Sequence, residues 1–155
     1  MAWRIWSDSS KKILDPVRGC WVEATPEERV RQGLLQKMIG ELGYPKSLIA
    51  VERPLKSMPH LYRASLPDRR ADIVCFASGI HPDWPFYPLL LIECKSSLLH
   101  LEALAQVRGY NHFVGAYFIA AVNAQEIFLE ARYGGGIVQL STLPSFQELL
   151  HVYRK

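Results

Sequence analysis

Residues 88–95, PLLLIECK, place an almost unbroken apolar run directly before a glutamate and a lysine. A run this short, rich in leucine and isoleucine and opened by a proline, reads as a buried strand rather than a helix. A strand without polar alternation is buried on both faces, so the sheet around it needs helices above and below. Unpaired charge is costly to bury, so Glu93 and Lys95 at the end of such a strand must be solvated, paired or ligating a cation.

The other elements agree with a covered sheet. In TPEERVRQGLLQKMIGELGYP, Thr25 can cap a helix, Pro26 suits its first turn, and Glu28 stands where it would complete a capping box. Val30, Leu34, Leu35, Met38, Ile39 and Leu42 form one stripe at helical spacing, which Gly43 ends. SLIAVERPL (47–55) and RADIVCFAS (70–78) read as two further strands before residues 88–95. SSLLHLEALAQVRGYNHF then has helical character with a serine start, and AYFIAAVN, QEIFLEARY and GIVQLST read as strands, the last two joined through Gly134, Gly135 and Gly136. LPSFQELLHVY is the closing helix. The order α-β-β-β-α-β-β-β-α predicts an α/β fold, a mixed central sheet flanked by helices. Residues 25–155 form one domain by this reading; residues 1–24, with Trp3, Trp6 and Trp21, show no sustained period and form an N-terminal arm without assigned structure.

Composition excludes several classes. A chain of 155 residues that is 49% hydrophobic and 21% charged is neither disordered nor fibrous, and it is the size of one domain. No apolar run approaches the length of a membrane span, and the N-terminus lacks a secretory core, so a cytoplasmic protein with no membrane partner is expected. Cys20, Cys75 and Cys94 form no CxxC pair, which argues against disulfides and cysteine-held zinc. The formal charge of +3 is unevenly spread: residues 1–70 hold 13 Lys and Arg against 8 Asp and Glu, while residues 71–155 hold 5 against 7. A basic first half permits a polyanionic partner.

Alternation places Leu89, Leu91, Glu93 and Lys95 on one face of their strand and Leu90, Ile92 and Cys94 on the other. Asp72, after the basic flank of Arg69 and Arg70, shares its face with Val74 and Phe76 on the preceding strand. A lone charge at a strand end is ordinarily just wet. Two carboxylates converging from neighbouring strands are a hard, oxygen-rich site suited to Mg²⁺, with Mn²⁺ as substitute, and a lysine beside them can hold an anionic oxygen or tune a water.

Asp72 followed by Glu93-Cys94-Lys95 resembles the PD-(D/E)xK motif of restriction-endonuclease-like nucleases, with Ala71 in the proline position. PEERVRQGLLQKMIGELGYP, IAVERPL, RRADIVCF, LLLIECKS and QVRGYN, in that order, resemble the N-terminal nuclease domain of type I restriction enzyme R subunits over most of the chain. The resemblance implies a restriction-endonuclease-like fold and Mg²⁺-dependent endonucleolytic hydrolysis of DNA, with other restriction-system subunits as partners. It also implies that Asp72, Glu93 and the backbone carbonyl of Cys94 ligate the metal, that Lys95 activates the water and stabilises developing charge, and that Glu27, with Glu28 in reserve, supplies an acidic group from the opening helix. Helix capping accounts for either glutamate equally well. Gln106 and Tyr110, four apart on the second helix, would contact the DNA backbone, and Arg70, Arg108, Arg69 and Lys56 are candidates for phosphate contacts; as scattered charges they also fit a solvated face.

No ATP site is expected, since the chain has no G-x-x-x-x-G-K loop. A rival reading is a catalytically silent nucleic-acid-binding or assembly module of the same fold. A small-molecule hydrolase has little support: G-x-S-x-G and H-E-x-x-H are missing, and His60, His81, His100, His112 and His151 have no ligand spacing.

Overall fold

The computed structural model describes residues 11–61, 65–133 and 135–155. Trp3, Trp6 and Gly134 lie outside them. The chain runs β1 (Lys12–Asp15), β2 (Cys20–Glu23), α1 (Pro26–Gly40), β3 (Ile49–Pro54), β4 (Arg70–Ser78), β5 (Phe86–Cys94), α2 (Leu101–Val114), β6 (Phe118–Val122), β7 (Ile127–Ala131), β8 (Val138–Leu140) and α3 (Phe146–Tyr153). Strands β3 to β8 form one six-stranded sheet in sequential order. Only β5 and β6 pair in parallel, because α2 carries the chain back across the sheet between them; the other neighbours pair antiparallel. Among the described residues no helix is long and apolar enough to cross a membrane.

Two clusters cover the two faces. Val30, Leu34, Leu35 and Met38 of α1 and Phe146, Leu149 and Leu150 of α3 pack on Ile73, Cys75, Leu90, Ile92, Ala120 and Val122. Leu104, Val107 and Val114 of α2 pack on Val74, Phe76, Leu91, Ile119 and Ala121. The sheet is thus closed between helix layers, as the two-sided burial of β5 requires. The alternation predicted for β5 fails at one residue: Leu89 lies in the α1 and α3 cluster, apart from Leu91. A bulge is the reason, since Cys75 pairs with Leu90 but Phe76 pairs with Pro88, leaving Leu89 as the extra residue.

Local signals set most helix ends. Thr25 Oγ1 accepts from the Glu28 N–H, but the predicted capping box is incomplete: the Thr25 N–H donates to Glu23 O, and the Glu28 carboxylate turns to Arg31, Arg18 and Gln32. Ser145 and Glu148 do complete such a box on α3. The serine start expected for α2 is displaced. Its cap is His100, because the Ser97 carbonyl accepts from the buried Asn123 side chain and the Lys95 N–H donates to Val122 O, extending the sheet.

Residues 12–23, within the segment left unassigned above, form a hairpin. Its anchor is Asp15, fully buried, which accepts from the Val17 and Arg18 N–H groups, from Arg18 Nε and from Gln32 Nε2 on α1, each at 2.8 to 2.9 Å. Burial alone would raise its pKa, but these donors hold the carboxyl below its ordinary value. Asp15→Ala is expected to lower stability in urea unfolding by about 2–4 kcal/mol, because it removes the buried acceptor of the turn N–H groups and leaves the Gln32 amide with Glu28 alone. Leu14→Ala, at a half-exposed neighbour, should change it by less than about 1 kcal/mol.

Candidate metal centre

The register that pairs Val51 with Ile73, and Ile73 with Ile92, sets three carboxylates side by side at one end of the sheet. They are Glu52 on β3, Asp72 on β4 and Glu93 on β5. Asp72 is buried and both of its oxygens are engaged: Oδ2 accepts from the Cys94 N–H at 2.8 Å and Oδ1 from Arg31 Nη2 at 2.8 Å. The first bond replaces a backbone rung between β4 and β5 with a side-chain one and fixes Asp72 against the Glu93-Cys94-Lys95 segment.

Arg31 is the centre of the arrangement. Nη2 also donates to Glu52 Oε1 at 2.9 Å, and Nη1 donates to Glu28 Oε2. Burial works against its charge, but Asp72, Glu28 and Glu52 raise its pKa further above the usual arginine value. Glu93 has no such clamp. Its carboxylate meets Lys95 Nζ at 3.8 Å. Burial, then the charge of Asp72, push its pKa up to about 7; Lys95 opposes them, Glu27 adds a lesser push and Arg31 a lesser pull. Glu52 is raised as well, by burial first and by Asp72, with Arg31 opposing. The cluster holds more negative charge than its own cations neutralise.

Asp72, Glu93, Cys94 and Lys95 therefore lie together. The two helix glutamates fall differently from the preference for Glu27 over Glu28: Glu27 is exposed, while Glu28 is half-buried and bonded to Arg31, Gln32 and Arg18. Arg31 and Gln32, three and four residues beyond Glu28, are drawn inward by Asp72 and Asp15 and take Glu28 with them. Glu27 nevertheless acts on Glu93 through its charge.

The expected DNA-contacting residues divide. Tyr110 is partly buried against the α2 cluster, with the Arg69 guanidinium 5.4 Å from its ring centroid, at the start of β4. Gln106 and Arg70 are exposed, as is Lys56. Arg108 is turned away from the acidic group: its guanidinium forks onto Glu130 of β7, two strands beyond β5, at 2.7 and 2.9 Å.

Sequence reasoning missed Arg31 and Glu52. Both carried a signal. Arg31 interrupts the apolar stripe of α1 beside Val30, and Glu52 follows the apolar Ile49-Ala50-Val51 just as Glu93 follows its own run. Glu52 also has φ +52, the one non-glycine with positive φ among the described residues, a conformation that costs about 1–3 kcal/mol and that nothing in the sequence announces.

The donor set of carboxylate oxygens suits a hard divalent cation. Among the described residues, however, no three Asp, Glu, His or Cys side chains converge on one point. The physical reason is on hand: Asp72, Glu52 and Glu28 are oriented around the guanidinium instead.

The solved structure of a fragment described as the HsdR subunit of a type I restriction enzyme from Vibrio vulnificus YJ016 superposes with a TM-score of 0.57 at 17% identity, over 81% of this chain and 24% of that one. This chain thus spans about a quarter of that fragment's length, and the likeness shows a shared restriction-endonuclease-like fold. Among curated proteins no match was found. The family model for the type I restriction enzyme R protein N terminus matches residues 26–144, from the first residue of α1 to the loop before α3. By that match, the chain belongs to the family of type I restriction enzyme R protein N-terminal domains.

Proposed function

We propose that this domain is a divalent-cation-dependent DNA endonuclease, hydrolysing phosphodiester bonds as part of a type I restriction system. The observation that carries the reading is the under-neutralised carboxylate group of Glu52, Asp72 and Glu93 beside Lys95, at the ends of strands with apolar, buried middles. Asp72 and Glu93 would hold Mg²⁺ or Mn²⁺, with the Cys94 carbonyl as a further donor and Glu27 contributing from α1. The cation would polarise the scissile phosphate and lower the pKa of a bound water.

The chain's own groups do the remaining work. The Cys94 N–H fixes the Asp72 carboxylate, which keeps one acidic oxygen pair in register with β5. Lys95, a quarter exposed and held near Glu93, sets a positive charge where an attacked phosphate gathers negative charge. Arg69 against Tyr110, with Arg70 next in the chain, supplies cationic and aromatic contacts for a DNA backbone at the start of β4. DNA and other subunits of a restriction system are the partners on this reading.

One observation favours the second reading, a catalytically silent binding or assembly module: Arg31 already occupies Asp72 Oδ1. Calorimetry separates the two. The wild type should bind Mn²⁺ at one Asp72-dependent site, and Asp72→Asn should abolish the heat; a silent module gives no such site. In a plasmid-nicking assay with Mg²⁺, Lys95→Ala should lose about 10²-fold or more of the rate, and undiminished cleavage would rule out the role given to Lys95.

Proton linkage gives an independent check. Glu93, with a folded pKa near 7, must lose its proton before it can ligate, so Mn²⁺ affinity should rise from pH 6 to pH 8 and binding should release a proton at pH 6. In the metal-free protein the sign reverses. A carboxyl whose folded pKa lies above its unfolded one is an increasing liability as pH climbs from the unfolded value to about 7. Glu93→Gln should therefore stabilise the metal-free protein at pH 8, by on the order of 1–2 kcal/mol after discounting for the residue's partial exposure, and have little effect at pH 4.

A further inference from the structure

The role of Arg31 follows from its surroundings. Its side chain is 6% exposed, and its two terminal nitrogens reach Glu28, Glu52 and Asp72, while the buried Nε has no partner among the described residues. A guanidinium is costly to bury, so this placement is stable only because three carboxylates surround it. Conversely, the strand register that crowds those carboxylates together makes them repel, and a cation between them offsets the repulsion. A divalent ion could serve the same electrostatic purpose in a more compact form, and the oxygen for which the two compete is defined. Asp72 Oδ2 already accepts from the Cys94 N–H, and Oδ1 is the oxygen that Arg31 holds and where an incoming cation meets it most directly.

Resting on the reading that Asp72 and Glu93 hold a divalent cation, we propose that Arg31 is the resident counter-cation of this site. As a positioning residue it keeps Glu52 and Asp72 assembled in the metal-free protein, gives up Asp72 Oδ1 when metal binds, and so sets the metal affinity. Glu28 and Glu52 make the exchange feasible: a guanidinium released from Asp72 retains two carboxylate partners and does not become a bare buried charge. The arrangement also accounts for the lack of a converged three-carboxylate cage among the described residues.

The test uses the whole chain and Mn²⁺ or Mg²⁺ alone. In calorimetry Arg31→Met should bind Mn²⁺ about tenfold tighter than the wild type or more, since a competing unit charge next to a divalent ion is removed. Its metal-free melting temperature should fall, and added Mn²⁺ should restore more of it than the wild type gains. Should Arg31→Met fail to fold, two measurements remain. Arg31→Lys, whose single ammonium cannot bridge three carboxylates, should still tighten Mn²⁺ binding, by a smaller factor. In the wild type, the Arg31 guanidinium ¹⁵N–H resonances should be protected without metal and move with Mg²⁺ along the binding isotherm. Unchanged or weaker Mn²⁺ affinity in the folded variant, or Arg31 resonances that stay fixed through Mg²⁺ saturation, would overturn the proposal. A wild type with no Asp72-dependent Mn²⁺ binding would instead overturn the metal-site reading and this inference together.

Discussion

One carboxylate joins three elements of this domain. Asp72, on β4, accepts from the backbone of β5 through the Cys94 N–H and from α1 through Arg31. Both bonds lie in buried surroundings, where a charge-assisted hydrogen bond is strong and an unpaired partner is costly. The end of the sheet is therefore not a loose fringe of charges. It is a fixed acidic edge, and the positions of Glu52, Glu93 and Lys95 follow from the strand registers that meet at Asp72.

From that point the polar network runs outward. Arg31 holds Glu28, Glu28 accepts from Gln32, and Gln32 donates to Asp15 at the foot of the β1–β2 hairpin. The first turns of α1 thus carry two duties on adjacent residues. Val30 and Leu34 pack the core, while Arg31 and Gln32, pointing between the apolar rows, tie the hairpin to the acidic edge. Electrostatics decides the character of the site more than any single contact does. Burial favours neutral carboxyls, Arg31 pairs directly with Asp72 and Glu52, and Glu93, paired with Lys95 at 3.8 Å and facing the charge of Asp72, is left with a pKa of about 7.

Parts of this were legible in the residues because they depend on local rules. The span of β4 was readable to the residue, since apolar content, length and flanks agree, and the start of α1 was fixed by Thr25 and Pro26, although the helix ends at Gly40, short of the Leu42 and Gly43 that its stripe suggested. Asp72, Glu93 and Lys95 stood out as charges at the ends of apolar runs. What local rules could not supply were features set by pairing. The bulge that turns Leu89 arises between two strands and leaves no mark on β5 alone. The late start of α2 depends on Asn123, 26 residues beyond the Ser97 carbonyl it holds. The β1–β2 hairpin owes its anchor to a glutamine on a helix, although Asp15-Pro16 and Gly19 already had the composition of a turn.

The sequence by itself determined the element order from α1 onward, the layer architecture, the family resemblance and the acidic and basic residues at the strand ends, because apolar periodicity and motif spacing are properties of the chain read in one dimension. The tertiary structure alone decided which charges share a space. It brought Glu52 beside Asp72 and drew Arg31 among the carboxylates. It bonded Glu28 rather than Glu27 into the network and tied Arg108 to Glu130, away from the acidic edge. The physical reason is that hydrogen bonds and ion pairs act over a few ångströms in space, and only strand register and helix docking set those distances between residues 20 to 40 positions apart.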